Sequence, residues 1–349
     1  MPEERIDFNF MATGIGSVPF LDLEPTCREM AEMTPLMPFW PQFVRRSHLE
    51  DMSVQYSEGL PLLEVRERSL VVSGSGDREK GLVEFYESYL AGDLERFSVT
   101  RDYAPGLYSL LELIEASEVD CGPFIKGQTV GPLTFTAGIK DLDGKPILHD
   151  PELSGAMVRG LAIKALWQVR QLERSGKRPV IFMDEPYLSG FGSAFSPVQR
   201  HEVIDTIRII IDYLRENAQL LIGIHCCGNT DWSMLLEAGP DIINFDAFDY
   251  MDHFLLYRED LVRFIDGGGA IAWGIVPTSG FTGEESVDGL LIRLEKGLNR
   301  VTEWGVDRGL LARRSILTPS CGMGTMAPEA ARAAMALLSD LSRRCREGI

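Results

Sequence analysis

A histidine and two cysteines, His225, Cys226 and Cys227, end the apolar run of residues 220–224. The run has the length of a β-strand, in which alternate side chains share a face, so His225 and Cys227 point to one side and Cys226 to the other. A neutral imidazole and a thiolate are ligands that zinc prefers. The pair therefore predicts part of a mononuclear zinc site, which needs one or two further ligands.

Further candidate ligands end other apolar segments. Cys321 is the predicted third ligand, because the glycine after it in TPSCGMGT lets the loop bend around a metal, and Asp246 at the end of DIINFD offers a fourth, oxygen ligand. Each also has a purely structural interpretation, since a buried cysteine is commonly a small core residue and an aspartate at a strand end commonly caps a helix. The His-x-Cys pair together with a cysteine at another strand end favours zinc.

The donor set indicates a reaction class. Two thiolates and an imidazole, with or without a carboxylate, are poorly suited to acidifying water, because thiolates donate electron density to the metal. A substrate thiol would instead lose its proton at such a site and stay nucleophilic, whereas a free thiol with a pKa of about 8.5 is mostly protonated at neutral pH. The predicted chemistry is attack of a zinc-bound thiolate on an electrophilic carbon, with alkyl transfer as the leading case.

Two further segments have features of a substrate pocket. Asp184 opens an Asp-Glu-Pro sequence directly after the apolar residues 180–183, and we expect it to anchor a substrate ammonium group, with a helix cap as the alternative. Near the amino terminus, Gly14 and Gly16 let the backbone come close to a group lying over Ser17. An ordinary strand-to-loop turn is the alternative there.

Eight apolar segments of strand length, most of them separated by helical segments, would position these groups. Strands that alternate with helices pair in parallel, and eight close naturally, so we predict an α/β fold of the (β/α)8 TIM-barrel type, with an open doubly wound sheet as the alternative. Residues 47–105 fit this pattern poorly and predict an insertion or cap that contains a hairpin and an amphipathic helix. The carboxyl ends of barrel strands share one rim, which would gather Ser17, Asp184, His225, Cys227, Asp246 and Cys321.

Composition limits the class of protein. At 349 residues and 45% hydrophobic composition, residues 1–349 are expected to form a single domain. The net charge of −18 argues against nucleic acid or an anionic membrane as partner. Six scattered cysteines favour metal binding or burial over a disulfide framework. Because no apolar run approaches the roughly 20 residues of a membrane span and MPEERIDFNF lacks the features of a signal peptide, a cytoplasmic location is expected.

Six segments resemble the catalytic half of cobalamin-independent methionine synthase in their order and spacing. They are GIGSVP, KGQTVGPLTF, IFMDEP, HCCG, DIINFD and TPSCG, and the similarity runs from about residue 11 to residue 340. HCCGN also resembles the zinc methyltransferases that methylate coenzyme M and the wider uroporphyrinogen decarboxylase superfamily. The Asp-Glu-Pro segment is similar to methionine synthase rather than to the other two.

The resemblance implies a barrel that methylates homocysteine in methionine biosynthesis. It implies zinc on His225, Cys227 and Cys321, and it places Asp246 where the family carries a glutamate ligand. It also implies that Ser17 and Asp184 hold homocysteine.

The chain departs from the family on the side of the methyl donor. Full-length members carry a duplicated amino-terminal barrel, for which 349 residues leave no room, and residues 272–280 lack the histidine thought to protonate the departing folate. The family's HGE segment has no clear counterpart, and Glu64 and Glu67 are only candidates. We therefore predict a core, single-barrel enzyme that takes methyl from methylcobalamin or another methylcorrinoid, free or carried by a corrinoid protein, because a corrinoid leaving group needs no general acid.

Three other functions fit parts of the pattern. A methyltransferase for coenzyme M would want a cation, for the sulfonate, where Asp184 stands. A uroporphyrinogen decarboxylase would need arginines near the amino terminus, for which only Arg45 and Arg46 are present, and would hold no metal. A non-catalytic barrel stabilised by metal would lose thermal stability on chelation but would have no thiol alkylation to lose.

Overall fold

The computed structural model describes residues 6–75, 77–192 and 198–348. Within these ranges the strands are β1 (Met11–Ala12), β2 (Leu63–Arg66), β3 (Ser69–Val72), β4 (Phe124–Val130), β5 (Arg178–Asp184), β6 (Leu221–Cys226), β7 (Ile242–Asp246), β8 (Ala270–Val276) and β9 (Ser315–Pro319). The α-helices are α1 (Leu23–Met33), α2 (Arg78–Leu90), α3 (Pro105–Glu115), α4 (Pro132–Gly138), α5 (Pro151–Glu173), α6 (Arg200–Asn217), α7 (Trp232–Ala238), α8 (Met251–Phe254), α9 (Arg258–Asp266), α10 (Val287–Thr302), α11 (Arg308–Arg313) and α12 (Pro328–Gly348). None of the described helices combines the length and the apolar character that a membrane crossing requires.

Seven strands form one parallel sheet in the order β1-β9-β8-β7-β6-β5-β4. From β4 to β9 the spatial order follows the chain, as expected of repeated strand-helix units. Helices α5, α10 and α12 pack against the strands. The predicted α/β architecture is therefore present as a curled parallel sheet.

One of the eight apolar segments predicted as strands, PLMPFWPQF at residues 35–43, does not form a continuous strand, so the predicted eight-stranded barrel is not closed. Residues 38–42 lie between the edge strands β1 and β4, and their backbone pairs with each side through an isolated parallel bridge, Ser17 with Gln42 and Phe39 with Lys126. Pro38 and Pro41 lack the backbone N–H that a regular ladder uses. The opening in the sheet is spanned by this segment without a hydrogen-bonded ladder.

The amino-terminal half of the curled sheet is filled with apolar side chains. This interior cluster consists of Phe8, Met11, Met37, Phe124, Val180, Phe182, Leu221, Ile242, Ala270, Ala272 and Ile316. Residues of the opposite strand faces belong to a second, larger cluster that they share with the helices. This packing fills the interior at the amino-terminal ends of the strands. A site for polar groups is therefore left at the carboxyl ends of the strands.

Helix starts are encoded locally by capping residues. Asp150, Asp231, Ser286 and Asp307 precede α5, α7, α10 and α11, and each side chain accepts a hydrogen bond from a backbone N–H of the first turn. Helix α7 ends at Gly239, which has a φ of 90°, a conformation that glycine adopts without strain. These caps fix where the helices that connect successive strands begin and, for α7, where the helix ends.

The insertion predicted at residues 47–105 contains the expected hairpin and helix. Strands β2 and β3 pair antiparallel, and α2 packs on α5. The segment is joined to the barrel by buried polar groups, because the Tyr56 hydroxyl donates to the carbonyl of Gln128 and the Gln42 amide donates to Oε1 of Gln55 at 2.6 Å. The insertion thus shares the core of the sheet, while the one-domain organisation of residues 1–349 stays a prediction.

Candidate metal centre and substrate pocket

Three of the predicted ligands come together at the carboxyl ends of the strands. His225 is on β6, Cys227 follows that strand, and Cys321 follows β9. One ligand atom from each lies within 4.8 Å of the other two, with His225 buried and both cysteines partly buried. Catalytic zinc sites have three protein ligands and an open position for a further ligand, and the number of clustered residues here matches that arrangement.

The orientation of His225 is set by Asn244 on the neighbouring strand. The side-chain oxygen of Asn244 lies 2.5 Å from Nδ1 of His225, and its nitrogen donates to the carbonyl of Ala272 at 2.8 Å and to Oγ1 of Thr318 at 2.9 Å. Because the amide nitrogen is occupied, the oxygen must face the imidazole and Nδ1 must carry the proton. The lone pair is then on Nε2, as ligation requires.

Nε2 of His225 is buried and has no hydrogen-bond partner in the described part of the chain. A buried polar atom left without a partner costs roughly 1–3 kcal/mol, so such atoms are rare unless they serve a ligand. An unpartnered imidazole nitrogen aimed at two thiols fits a zinc ion. The chemistry of the donor set and its geometry agree on this point.

The two thiols differ strongly in acidity. Interaction with Cys321 and then with His225 lowers the pKa of Cys227 to about 4, although burial opposes this. Interaction with Cys227 and burial raise the pKa of Cys321 well above its ordinary value. Burial alone would lower the pKa of His225, but Cys227 and Asp184 raise it above its ordinary value. Before a cation binds, the cluster therefore contains a Cys227 thiolate next to an imidazole whose protonated form is favoured.

Cys226 lies on the opposite strand face, as the alternation of a strand requires. It is fully buried in the cluster shared with the helices, and its sulfur lies 3.6 Å from the carbonyl oxygen of Gly228. Burial raises its pKa to about 12. Cys226 is thus a neutral core residue.

The two acids of the Asp-Glu-Pro sequence have different environments. Asp184 pairs in register with His225 and is 6% exposed, and its Oδ1 has no hydrogen-bond partner among the described residues. Glu185 instead accepts hydrogen bonds from the backbone N–H groups of Leu133 at 2.8 Å and Thr134 at 2.9 Å, at the start of α4. Glu185 thus caps the preceding helix α4, whereas Oδ1 of Asp184 is left without a hydrogen-bond partner among the described residues.

The charge of Asp184 responds to its surroundings. Burial raises its pKa to about 6, while the charges of His225 and Lys126 act in the opposite direction. A carboxylate that is desolvated and has an unpartnered oxygen is a receptor for a cationic group.

Gly16 and Ser17 lie against the loop that carries Cys321. The backbone N–H of Gly324 donates to Oγ of Ser17 at 3.3 Å, and that of Met323 donates to the Ser17 carbonyl at 2.9 Å. A Cβ added at Gly16 would lie 2.4 Å from Oε1 of Gln42, so only glycine fits there. The structure thus brings Gly16 and Ser17 next to the loop of the third candidate ligand.

Asp246 is not one of the three clustered ligands. Its Oδ1 accepts hydrogen bonds from the backbone N–H groups of Phe248 and Asp249, both at 2.9 Å, so it caps the turn after β7. Burial raises its pKa to about 6, and the nearby Cys227 charge adds to this shift. Its assignment as fourth ligand stays a prediction.

Other candidates from the sequence lie elsewhere. Glu64 and Glu67 are exposed on the β2–β3 hairpin, and Glu64 pairs there with Arg66. The guanidinium of Arg45 donates to the backbone carbonyls of Gly324, Thr325 and Met326, so it supports the loop after β9.

Sequence reasoning missed Asn244 and Lys126. Asn244 is two residues before Asp246 in an otherwise apolar strand, and Lys126 interrupts β4, which is buried throughout. A polar residue on the inner face of a buried strand was the signal available for both.

A curled parallel α/β sheet with a histidine and two cysteines at its carboxyl edge defines a TIM-barrel-like protein with a candidate metal centre. No protein-family model and no curated protein matches the sequence. Among solved structures, the chain is similar to a B12-independent methionine synthase from Shewanella sp. W3-18-1 in complex with selenomethionine, with a TM-score of 0.57, 17% identity, and coverage of 93% of this chain and 86% of that chain.

A GH113 beta-mannanase from Alicyclobacillus acidocaldarius in complex with ManMIm also matches, at a TM-score of 0.44 and 12% identity over 98% of this chain and 99% of that chain. That similarity is too low to support an argument. The 17% identity to the methionine synthase shows a shared fold, and membership of that family stays a prediction.

Proposed function

We propose that this protein is a zinc-dependent methyltransferase with homocysteine as its methyl acceptor. The observation that carries the proposal is the cluster of His225, Cys227 and Cys321, whose ligand atoms lie within 4.8 Å of one another. The fold shared with a methionine synthase that was solved with selenomethionine supports a sulfur amino acid as the ligand.

The residues have separable roles in this proposal. His225, Cys227 and Cys321 hold zinc, with Asp246 as the candidate fourth ligand. Bound zinc supplies the positive charge that lets a substrate thiol lose its proton near neutral pH. Asn244 holds Nδ1 of His225, so that Nε2 is the nitrogen that the neutral imidazole offers to the metal.

The amino-acid end of the substrate is bound by the pocket next to this cluster. Asp184 accepts hydrogen bonds from the ammonium group through its unpartnered oxygen. The hydroxyl of Ser17 donates to the carboxylate, and Gly16 lets the backbone come close. Because Asp184 pairs with His225 in register, the ammonium and sulfur ends of one small molecule reach both groups.

The decarboxylase alternative is weakened by Arg45. That reaction would need the arginine to bind carboxylates of the substrate, but its guanidinium is already bonded to three backbone carbonyls. A methyltransferase for coenzyme M is weakened by Asp184, because a buried carboxylate repels a sulfonate.

For the methyl donor we propose a methylcorrinoid, either methylcobalamin or a corrinoid protein. The segment from β8 into the following loop, residues 272–280, contains no histidine that could protonate a folate amine. A corrinoid leaves without protonation.

The test is methionine formation by purified, zinc-loaded protein supplied with homocysteine and either methylcobalamin or methyltetrahydrofolate. We expect methionine with methylcobalamin and none from the Cys227→Ser variant. Methionine from methyltetrahydrofolate alone would overturn the donor assignment. If zinc-loaded protein forms no methionine from methylcobalamin, from methyltetrahydrofolate or from a methylated corrinoid protein, the proposed methyltransferase activity is rejected.

A further inference from the structure

A lysine is fully buried inside the curled sheet, next to the turn at residues 15–17. Lys126 on β4 is 0% exposed, and its Nζ donates to the carbonyl of Ile15 at 2.6 Å and to Oε1 of Gln128 at 3.3 Å. The same atom lies 4.7 Å from the ring centroid of Phe182. These contacts are neutral oxygens and a ring, so among the described residues no carboxylate is bonded to the buried ammonium, which is costly.

Lys126 holds the first residue of the turn at residues 15–17. The carbonyl of Ile15 accepts from Lys126, the carbonyl of Gly16 accepts from the backbone N–H of Gln42 at 2.9 Å, and Oγ of Ser17 accepts from Gly324. Each residue of the turn is therefore held by a different part of the fold. The lysine supplies the contact from inside the sheet.

Lys126 and Asp184 influence each other's charge. Burial lowers the pKa of Lys126 to about 7, and the charge of Asp184 opposes this shift. The charge of Lys126 in turn acts against the raised pKa of Asp184. In an interior of low dielectric constant, opposite charges favour each other's ionised forms even without direct contact.

We propose that Lys126 is a positioning residue that makes the pocket selective for thiols with a zwitterionic α-amino-acid end. Through its hydrogen bond to Ile15 it orients the 15–17 turn towards the substrate carboxylate, and it supplies a buried positive charge to the site in which Asp184 receives the ammonium group. This inference rests on the proposed function. A ligand with equal positive and negative charge leaves the buried pocket neutral, whereas a ligand with a single charge does not.

The selectivity can be measured by binding, without methyl transfer. Methionine and 3-(methylthio)propylamine differ only in the carboxylate, and calorimetry on zinc-loaded protein compares their affinities. We expect Lys126→Met to weaken methionine binding by about tenfold or more, equivalent to about 1.4 kcal/mol. Amine binding should be strengthened, because the variant pocket is neutral when the single positive charge of the amine lies beside Asp184. Lys126→Gln keeps a hydrogen-bond donor for Ile15 but lacks the charge. It should change the ratio of the methionine and amine affinities in the same direction as Lys126→Met, but by less.

Lys164 offers a matched control. It is also 0% exposed, and its Nζ donates to the backbone carbonyls of Phe97 at 3.4 Å and Ser98 at 3.2 Å. We expect Lys164→Met to reduce thermal stability while it leaves the ratio of the two affinities unchanged.

The outcomes separate the two proposals. If Lys126→Met loses affinity for both ligands equally, so that the ratio of the two affinities is unchanged, Lys126 has only a structural role. If Lys126→Met does not fold, the ratio in Lys126→Gln decides. Wild-type protein that binds neither ligand would reject the proposed substrate itself, whereas wild-type binding with unaltered selectivity in the variants would reject only the role of Lys126.

Discussion

The side-chain oxygen of Asn244 lies 2.5 Å from Nδ1 of His225, across the paired strands β7 and β6. The amide nitrogen is held by Ala272 and Thr318, so the asparagine cannot rotate to offer its nitrogen without losing two hydrogen bonds. This one contact fixes which imidazole nitrogen is available to a metal.

Replacing Asn244 by leucine should weaken zinc binding about 10- to 100-fold, because the imidazole loses the partner that sets its tautomer and direction. Competition with a chromophoric chelator measures the affinity. Asn217→Leu is the control, since the Asn217 amide bonds only the carbonyl of Tyr213 within its own helix. An unchanged affinity in Asn244→Leu would show that the contact does not support a ligand.

The three cysteines at the carboxyl edge should differ in their effect on metal content. Cys227→Ser and Cys321→Ser are each expected to lose stoichiometric zinc, because a serine hydroxyl is a far weaker ligand than a thiolate. Cys226→Ser should keep the metal, since its side chain lies on the other strand face. Metal analysis after dialysis tests this, and zinc loss in a folded Cys226→Ser protein would contradict the strand-face argument.

Asp246→Asn tests the fourth ligand. Asparagine still accepts the hydrogen bonds from Phe248 and Asp249, so the turn is kept while the anionic oxygen is lost. If the carboxylate binds zinc, the affinity should fall by about tenfold or more. An affinity equal to that of the wild type would assign Asp246 to capping alone.

Asp184→Asn should weaken the binding of homocysteine or methionine by about 10- to 100-fold, because a charge-assisted hydrogen bond to the ammonium contributes roughly 1.5–3 kcal/mol. Zinc content should not change. Asp212→Asn, at an exposed position of α6, serves as the control. Calorimetric titration with methionine decides, and equal affinities of wild type and Asp184→Asn would remove Asp184 from the pocket.

Glu50 should make stability depend on pH. Its side chain is 0% exposed and accepts a hydrogen bond from the N–H of Phe43 at 2.8 Å, with Arg46 at 3.5 Å. Burial raises its pKa to about 7, and the contacts with Phe43 and Arg46 offset this only in part. The folded state then binds this proton more tightly than the unfolded state does, so the stabilisation is full below about pH 4.5 and is lost as the pH rises through about 7.

From pH 5 to pH 8, the free energy of unfolding of the wild type should therefore fall more than that of Glu50→Gln, by on the order of 2 kcal/mol. Urea unfolding at the two pH values measures the difference. Glu87→Gln, at an exposed position of α2, should behave as the wild type. Parallel losses in wild type and Glu50→Gln would show that the carboxyl is ionised throughout.

Much of the local structure could be predicted from the sequence. The β2–β3 hairpin and helix α2 lie within the insertion predicted at residues 47–105. Such features follow from residues that are neighbours in the chain, since capping, alternation and turn chemistry act within a few positions. The segment at residues 38–42 was not predicted correctly, because its apolar pattern indicates a strand while its prolines lack the backbone N–H groups that strand pairing needs.

The sequence by itself determined that His225 and Cys227 share a strand face and that strand ends carry the other candidate groups, because a strand's period of two depends only on its own backbone. Tertiary structure alone decided that Asn244 faces His225, that Glu185 caps α4 instead of Asp184, and that Lys126 holds Ile15. These contacts depend on the register between strands that are distant in the chain, and a shift of a few ångströms in that register would break every one of them.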